Sequence, residues 1–313
     1  MPVMAGARSR AAAPTQRLSR KSSPPDREVL VGRYTLTSLI GRGGMAEVYE
    51  AHDSQLERIV AIKRPRSDMP RDQVISERLH REALALASID SPRVVGIHDV
   101  GFNSAGVFLV MQRLRGRTLD DEIDHNGPVT PARACRIARD ILAGLNEIHG
   151  RGLVHRDLKA SNVLLDQSER AVLLDLGAAL HPRRRPLTAP GTVLGTPECM
   201  APEQLEQGAL DGRVDLYQLG LILIYLLSGV MTAGGVDPKT LAIPSALRDV
   251  INKARAPVDE RYESVEDMEH ALERALAACT LVPIEPVVAI KKTRRYPTLM
   301  PKLSTGAPAR PQR

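Results

Sequence analysis

Two polar turns carry the most specific chemistry in this chain. The first reads His155-Arg156-Asp157-Leu158-Lys159 and is followed by Asn162. The second, Asp175-Leu176-Gly177, comes after the apolar stretch Val172–Leu174. Asp157 can accept the proton of an incoming hydroxyl, and Lys159 can offset negative charge beside it. Asn162 offers a neutral oxygen and Asp175 a charged one, the hard donors that magnesium takes. Upstream stand a glycine turn, Gly41-Arg42-Gly43-Gly44-Met45-Ala46-Glu47-Val48, and the run Val60-Ala61-Ile62-Lys63. Glycines there let backbone N–H groups close over a phosphate without side-chain clash. An ammonium amid apolar neighbours needs an anion. Glu82 is the acid placed to orient Lys63 toward the α and β phosphates of a nucleotide.

Hydrophobic period gives the elements that hold these residues. Tyr34–Leu39, Glu47–Ala51 and Arg58–Lys63 read as strands, so the glycine turn lies in a hairpin. A dinucleotide fold would place a helix after those glycines instead. Residues 72–88 read as a helix whose Ile75, Leu79, Glu82 and Leu86 share a face. Strands are expected at Val95–Val100 and Val107–Met111. Beyond Gly116 the pattern turns helical, with an amphipathic helix over 131–149, an almost wholly apolar one over 215–228, and others over 245–256 and 264–279. Short strands are expected at Leu153–Val154, Val163–Leu165 and Val172–Leu174. The fold class is therefore α+β in two lobes. Residues 30–113 form a strand-rich lobe with one main helix, and 114–281 a mostly helical one.

Charge is unevenly spread. Residues 1–30 hold six Lys/Arg against two acids and residues 282–313 hold seven against one, so the overall +6 leaves the middle at −4. The basic character belongs to Pro-, Arg- and Ser-rich ends, read as a disordered tail over 1–29 and a second tail over 282–313. A nucleic-acid enzyme would carry a positive groove in its body, so no nucleic-acid partner is expected. The tails suit an acidic partner or a membrane surface. Three cysteines without metal-ligand spacing indicate free thiols in a reducing compartment. The run Leu219–Leu227 is far below the roughly 20 residues that span a bilayer. A cytoplasmic location is expected.

Taken together, these motifs resemble the eukaryotic-type (Hanks-type) serine/threonine protein kinase family, and Ile-Gly-Arg-Gly-Gly-Met-Ala-Glu-Val-Tyr resembles its bacterial branch. The resemblance covers about residues 34–279 and implies a bilobal protein-kinase-like fold. It implies ATP- and magnesium-dependent (or manganese-dependent) phosphorylation of protein serine and threonine hydroxyls. Lys63, Glu82, Asp157, Lys159 and Thr196 would be catalytic, and Asn162 and Asp175 would hold metal. ATP would lie against Ile40, Gly41, Gly43, Gly44, Val48, Ala61, Lys63 and Leu164. Met111 would be the gatekeeper, and Gln112 to Leu114 the hinge. Glu203 of Met-Ala-Pro-Glu should pair with Arg261, and Asp215 should brace the catalytic loop. Leu86, Ile97, His155 and Leu176 would stack as a hydrophobic column. Arg156 implies control by phosphorylation at Thr188 or Thr192, and hence a homodimer for autophosphorylation in trans.

Four positions depart from the family pattern: Ala46 for a third glycine, Leu176 for phenylalanine, Cys199 for tyrosine and Arg113 for a hinge aromatic. The 14 residues from Met231 to Pro244 also contract a segment where the family fits an extra helix. The shortened segment, Ala46 and Cys199 define the alternative of a pseudokinase-like ATP-binding scaffold with weak or no turnover.

Overall fold

The computed structural model describes residues 28–68, 73–104, 106–176, 199–206, 210–231 and 236–281. The first lobe is an antiparallel sheet of β1 (Val29–Leu30), β2 (Tyr34–Arg42), β3 (Ala46–Asp53), β4 (Arg58–Pro65), β5 (Ile97–Asn103) and β6 (Gly106–Gln112). Its order is β1-β2-β3-β4-β6-β5. Side chains alternate across a strand, and directly paired residues share a face. The pairs Val48↔Lys63, Ala61↔Met111 and Lys63↔Leu109 therefore set all five residues on one face. On the other face Tyr49, Ala51, Val60, Ile62, Phe108 and Val110 form a separate core with Leu30, Tyr34 and Leu36. The period-2 pattern thus gives the sheet two jobs: one face builds a core of its own and the other faces helix and cleft.

Helix α1 (Gln73–Ala87) covers that second face with Ile75, Leu79, Ala83 and Leu86, spaced three or four apart. Glu82 lies in the same turn as Leu79 and Ala83, so the packing that buries α1 carries its carboxylate inward. The register shifts in β2 between Leu36 and Ser38 and between Leu39 and Gly41. Such bulges bend a strand and re-aim the residues at its far end, here the glycine turn.

The second lobe contains α2 (Leu119–Asn126), α3 (Pro131–His149), α4 (Pro202–Leu205), α5 (Arg213–Ser228), α6 (Ser245–Ala254) and α7 (Val265–Leu281). A small sheet is formed by β7 (Gly116–Thr118), β8 (Val163–Asp166) and β9 (Ala171–Leu173), in that order. Helix α5 is buried from Val214 to Ser228, as its apolar composition requires, and stops at Gly229, whose φ of 71° few other residues adopt at a C-cap. Between α5 and α6 the described residues hold one 3-10 turn, Pro238–Thr240, within the contracted segment.

Three readings change. The Glu28 carboxylate accepts from Arg64 at 2.7 Å, and Val29 pairs with Thr35, so the folded body begins before residue 30. Leu153–Val154 forms no strand; Val154 makes an isolated bridge only. Helix α2 is an addition, hidden because its LDDEIDHN sequence is short and polar, although the Thr118 hydroxyl caps it by accepting from the Asp121 N–H. Among the described residues no helix is long and apolar enough to cross a membrane.

Candidate active site

Lys63 on β4 is the centre of an ionic triad. Its Nζ lies 2.7 and 2.8 Å from the Glu82 oxygens and 2.9 Å from Asp175 Oδ2. Glu82 is 2% exposed and Lys63 8%, whereas the Asp175 side chain is 35% exposed at the open end of the triad. Burial pushes the Lys63 ammonium down, but the charges of Asp175 and Glu82 more than reverse this and hold it protonated. Burial, reinforced by the like charge of Asp175, pushes the Glu82 carboxyl up against the pull of Lys63. Two carboxylates around one cation leave the site short of positive charge. Asp175, the exposed member, is the one that a further cation can reach.

The catalytic turn is held from beneath. Asp215 on α5 accepts from the backbone N–H groups of His155 at 2.9 Å and Arg156 at 2.8 Å, and from His149 Nε2 at 2.7 Å. Arg156 sits at φ 65°, a left-handed conformation rare for a residue with a side chain. That bend presents Asp157, whose Oδ2 takes a 2.8 Å bond from Lys159 Nζ. Asn162 donates its Nδ2 to the Asp157 carbonyl at 2.8 Å, which leaves its amide oxygen as the group available to a ligand. The Leu174 N–H donates to the Asn162 carbonyl at 2.9 Å, so the strand end that presents Asp175 is tied directly to Asn162.

The neutral oxygen of Asn162 and the carboxylate of Asp175 are hard donors and fit magnesium or manganese, which keep several of their remaining ligands as water or phosphate oxygen.

The glycine hairpin closes through the Gly43 N–H to Ala46 carbonyl bond at 2.8 Å. Arg66, beyond β4, donates its backbone N–H to the Met45 carbonyl at 3.0 Å and reaches the carbonyls of Gly43 and Gly44. Asp68 accepts from both Arg66 and Arg42 at 2.6 Å. Gly41, Gly43 and Gly44 therefore sit in a turn anchored by a charged cluster that motif spacing does not reveal. Ile40 is exposed at the end of β2, Ala61 and Met111 are buried, and Val48, Leu114 and Leu164 are half-buried. Gln112 is exposed and donates its N–H to the Gly96 carbonyl at 2.8 Å. Arg113 bonds Glu50 at 3.0 Å and also reaches the Leu114 carbonyl, taking the place of an aromatic residue with a polar clasp.

Glu203 on α4 meets Arg261 at 2.5 and 2.9 Å. Arg261 is buried over the Tyr217 ring and also bonds the Ala256 carbonyl. Leu86, His155 and Leu176 are fully buried, and Ile97 packs against the same core. Thr188, Thr192 and Thr196 lie outside the described residues. Sequence reasoning missed Gln204 and Gln218, which bond the Arg156 carbonyl at 2.8 and 3.1 Å.

A sequence model described as the protein kinase domain matches residues 34–282. The serine/threonine-protein kinase PrkC of Bacillus subtilis (strain 168) is 34% identical over 265 residues, which are 79% of this chain and 41% of that protein. This chain belongs to the bacterial Hanks-type serine/threonine protein kinase family. The kinase PknD of Mycobacterium tuberculosis (strain ATCC 25618 / H37Rv) is 36% identical over 265 residues, 78% of this kinase chain and 40% of the relative. The chain thus spans less than half the length of these curated kinases. The crystal structure of the Mycobacterium tuberculosis PknI kinase domain superposes with a TM-score of 0.64 at 23% identity, covering 80% of this chain and 98% of that one. That likeness supports the bilobal kinase fold.

Proposed function

We propose that this kinase domain transfers the γ-phosphoryl group of ATP to serine or threonine hydroxyls of proteins. The observation that carries the reading is the Lys63–Glu82–Asp175 triad, tied through Asn162 to the turn that holds the Asp157–Lys159 pair. Lys63, protonated and fixed by Glu82, would hold the α and β phosphates. Asp157 would orient the acceptor hydroxyl and take its proton. Lys159, 2.8 Å from that carboxylate, would offset charge on the transferring group. Asn162 and Asp175 would hold magnesium or manganese. When bound, the metal neutralises phosphate charge and orients the leaving group.

Burial lowers the Arg156 guanidinium against the opposing pull of Asp215, and its Nε has no partner among the described residues. A phosphate on Thr188 or Thr192 would supply a compensating charge. Self-activation would then run in trans, within a transient homodimer. The basic tails would bind an acidic partner or membrane surface, and free thiols suit a cytoplasmic setting. Incubation with γ-labelled ATP, with and without magnesium, and then phosphoamino-acid analysis, tests the proposal. Metal-dependent label on serine or threonine supports it. Nucleotide binding without any label on the chain or on a generic basic protein would instead favour a scaffold.

A further inference from the structure

Two glutamines clamp the turn that presents Asp157. The peptide linking Arg156 to Asp157 comes after a left-handed residue, so its shape depends on outside support. Asp215 supports the N–H side of this turn. The carbonyl side takes two amide donors: Gln204 Nε2 at 2.8 Å and Gln218 Nε2 at 3.1 Å. Gln218 Oε1 also accepts the Leu158 N–H at 3.0 Å, so one side chain spans the peptides on both sides of Asp157.

Backbone partners fix how each amide is turned. Gln204 Oε1 accepts from the Ala201 N–H at 2.9 Å and from Gln218 Nε2 at 3.1 Å, which leaves its Nε2 toward Arg156. Gln218 is 1% exposed on a helix that is otherwise almost wholly apolar. Asp215 and Gln218 are three residues apart and therefore share one helix face. The polar stripe of α5 is thus aimed at the catalytic turn, and the Gln218 amide spends its hydrogen bonds on that turn and on Gln204.

We infer that Gln218 and Gln204 are positioning residues that set the carboxylate of Asp157, and that through Gln204 the turn senses the placement of α4. Both act on Asp157 through the backbone of its turn. Helix α4 is fixed by the neighbouring Glu203–Arg261 pair, so a displacement of α4 would loosen the Arg156 carbonyl. The inference rests on the phosphoryl-transfer reading for its kinetic consequence and on hydrogen bonding alone for its structural one.

The test compares Gln218→Met, Gln204→Met and the double variant, since methionine keeps side-chain length and removes the hydrogen bonds. Displacing the carboxylate should lower kcat on the order of 10-fold to 10²-fold while the KM for ATP stays within about twofold. The double variant should lose no more than Gln218→Met alone, within roughly twofold, because the residues act as one unit. The Leu158 amide should exchange with solvent roughly tenfold faster in Gln218→Met. A kcat within about twofold of wild type, or a parallel loss of kcat and ATP affinity, would overturn the inference. So would unchanged Leu158 exchange, which decides the structural claim even if wild-type protein transfers no phosphate and the proposed activity fails. If Gln218→Met does not fold, Gln204→Met at its half-buried position carries the comparison of kcat with the KM for ATP. Its structural readout is the Ala201 amide, which loses its acceptor and should exchange roughly tenfold faster; unchanged exchange there would overturn the inference.

Discussion

The carboxylate of Glu203 grips the guanidinium of Arg261 at 2.5 and 2.9 Å across 58 residues of sequence. Arg261 is buried, so the pair is held together by more than surface charge. Removing the cation strands a largely buried carboxylate. Arg261→Met should therefore destabilise the domain by about 3–5 kcal/mol, read as a lower urea midpoint at unchanged slope. Glu203→Gln should cost less, because it leaves Arg261 its carbonyl partners at Ala256 and Arg213. An Arg261→Met variant as stable as wild type would remove this pair from the framework of the second lobe.

Glycines at two places should respond in opposite ways. A Cβ at Gly116 would clash with the Leu165 carbonyl oxygen, backbone that cannot swing aside. Gly116→Ala should separate β7 from β8 and lower the unfolding temperature. At Gly44 a Cβ would meet nothing within 4 Å. Gly44→Ala should leave stability within about 0.5 kcal/mol of wild type, yet weaken ATP binding, because the methyl group would stand where phosphate approaches the backbone. Calorimetric binding and thermal unfolding of both variants check this; unchanged ATP affinity in Gly44→Ala would detach the glycine turn from the phosphates.

Acid should weaken the first lobe through Asp53. Its carboxyl is buried and takes 2.7 and 2.8 Å bonds from Arg33. The Arg33 guanidinium holds it well below the usual carboxylate range, against burial. A depressed native pKa adds stability that is complete above the unfolded value, about 3.9. It is lost as pH falls through the native value. Wild type should therefore lose more stability than Asp53→Asn between pH 6 and pH 3, measured by urea unfolding at each pH. Equal losses would show that the pair does not couple folding to protons.

The ionic groups were legible in the sequence because each sits in a motif whose neighbours fix its element. Lys63 is marked by β-branched and apolar residues, and Glu82 by the helical period of Ile75, Leu79 and Leu86. The same logic made α5 conspicuous. It failed where structure depends on backbone atoms. Gln204 and Gln218 are neutral and match no chemical pattern; their partners are a carbonyl and an N–H that become acceptors and donors only once Arg156 turns left-handed. Strand β1 has two residues, too few for any period, and exists because Val29 and Leu30 find Thr35 and Tyr34 across a tight turn. Leu153–Val154 has strand composition but lacks a neighbouring ladder. Helix α2 was hidden by its acids, although Thr118 three residues before Asp121 was a cap signal.

The proposed function turns on Asp157, which would take the proton of a protein hydroxyl while Lys63 would hold ATP. The decisive measurement is the initial rate of label transfer from γ-labelled ATP by wild type and by Asp157→Asn, with ATP affinity measured on the same samples. The substitution should lower the rate by roughly 10²- to 10⁴-fold and leave ATP affinity within about twofold. Transfer by Asp157→Asn at the wild-type rate, or ATP binding by wild type with no transfer to any serine or threonine, would contradict that mechanism.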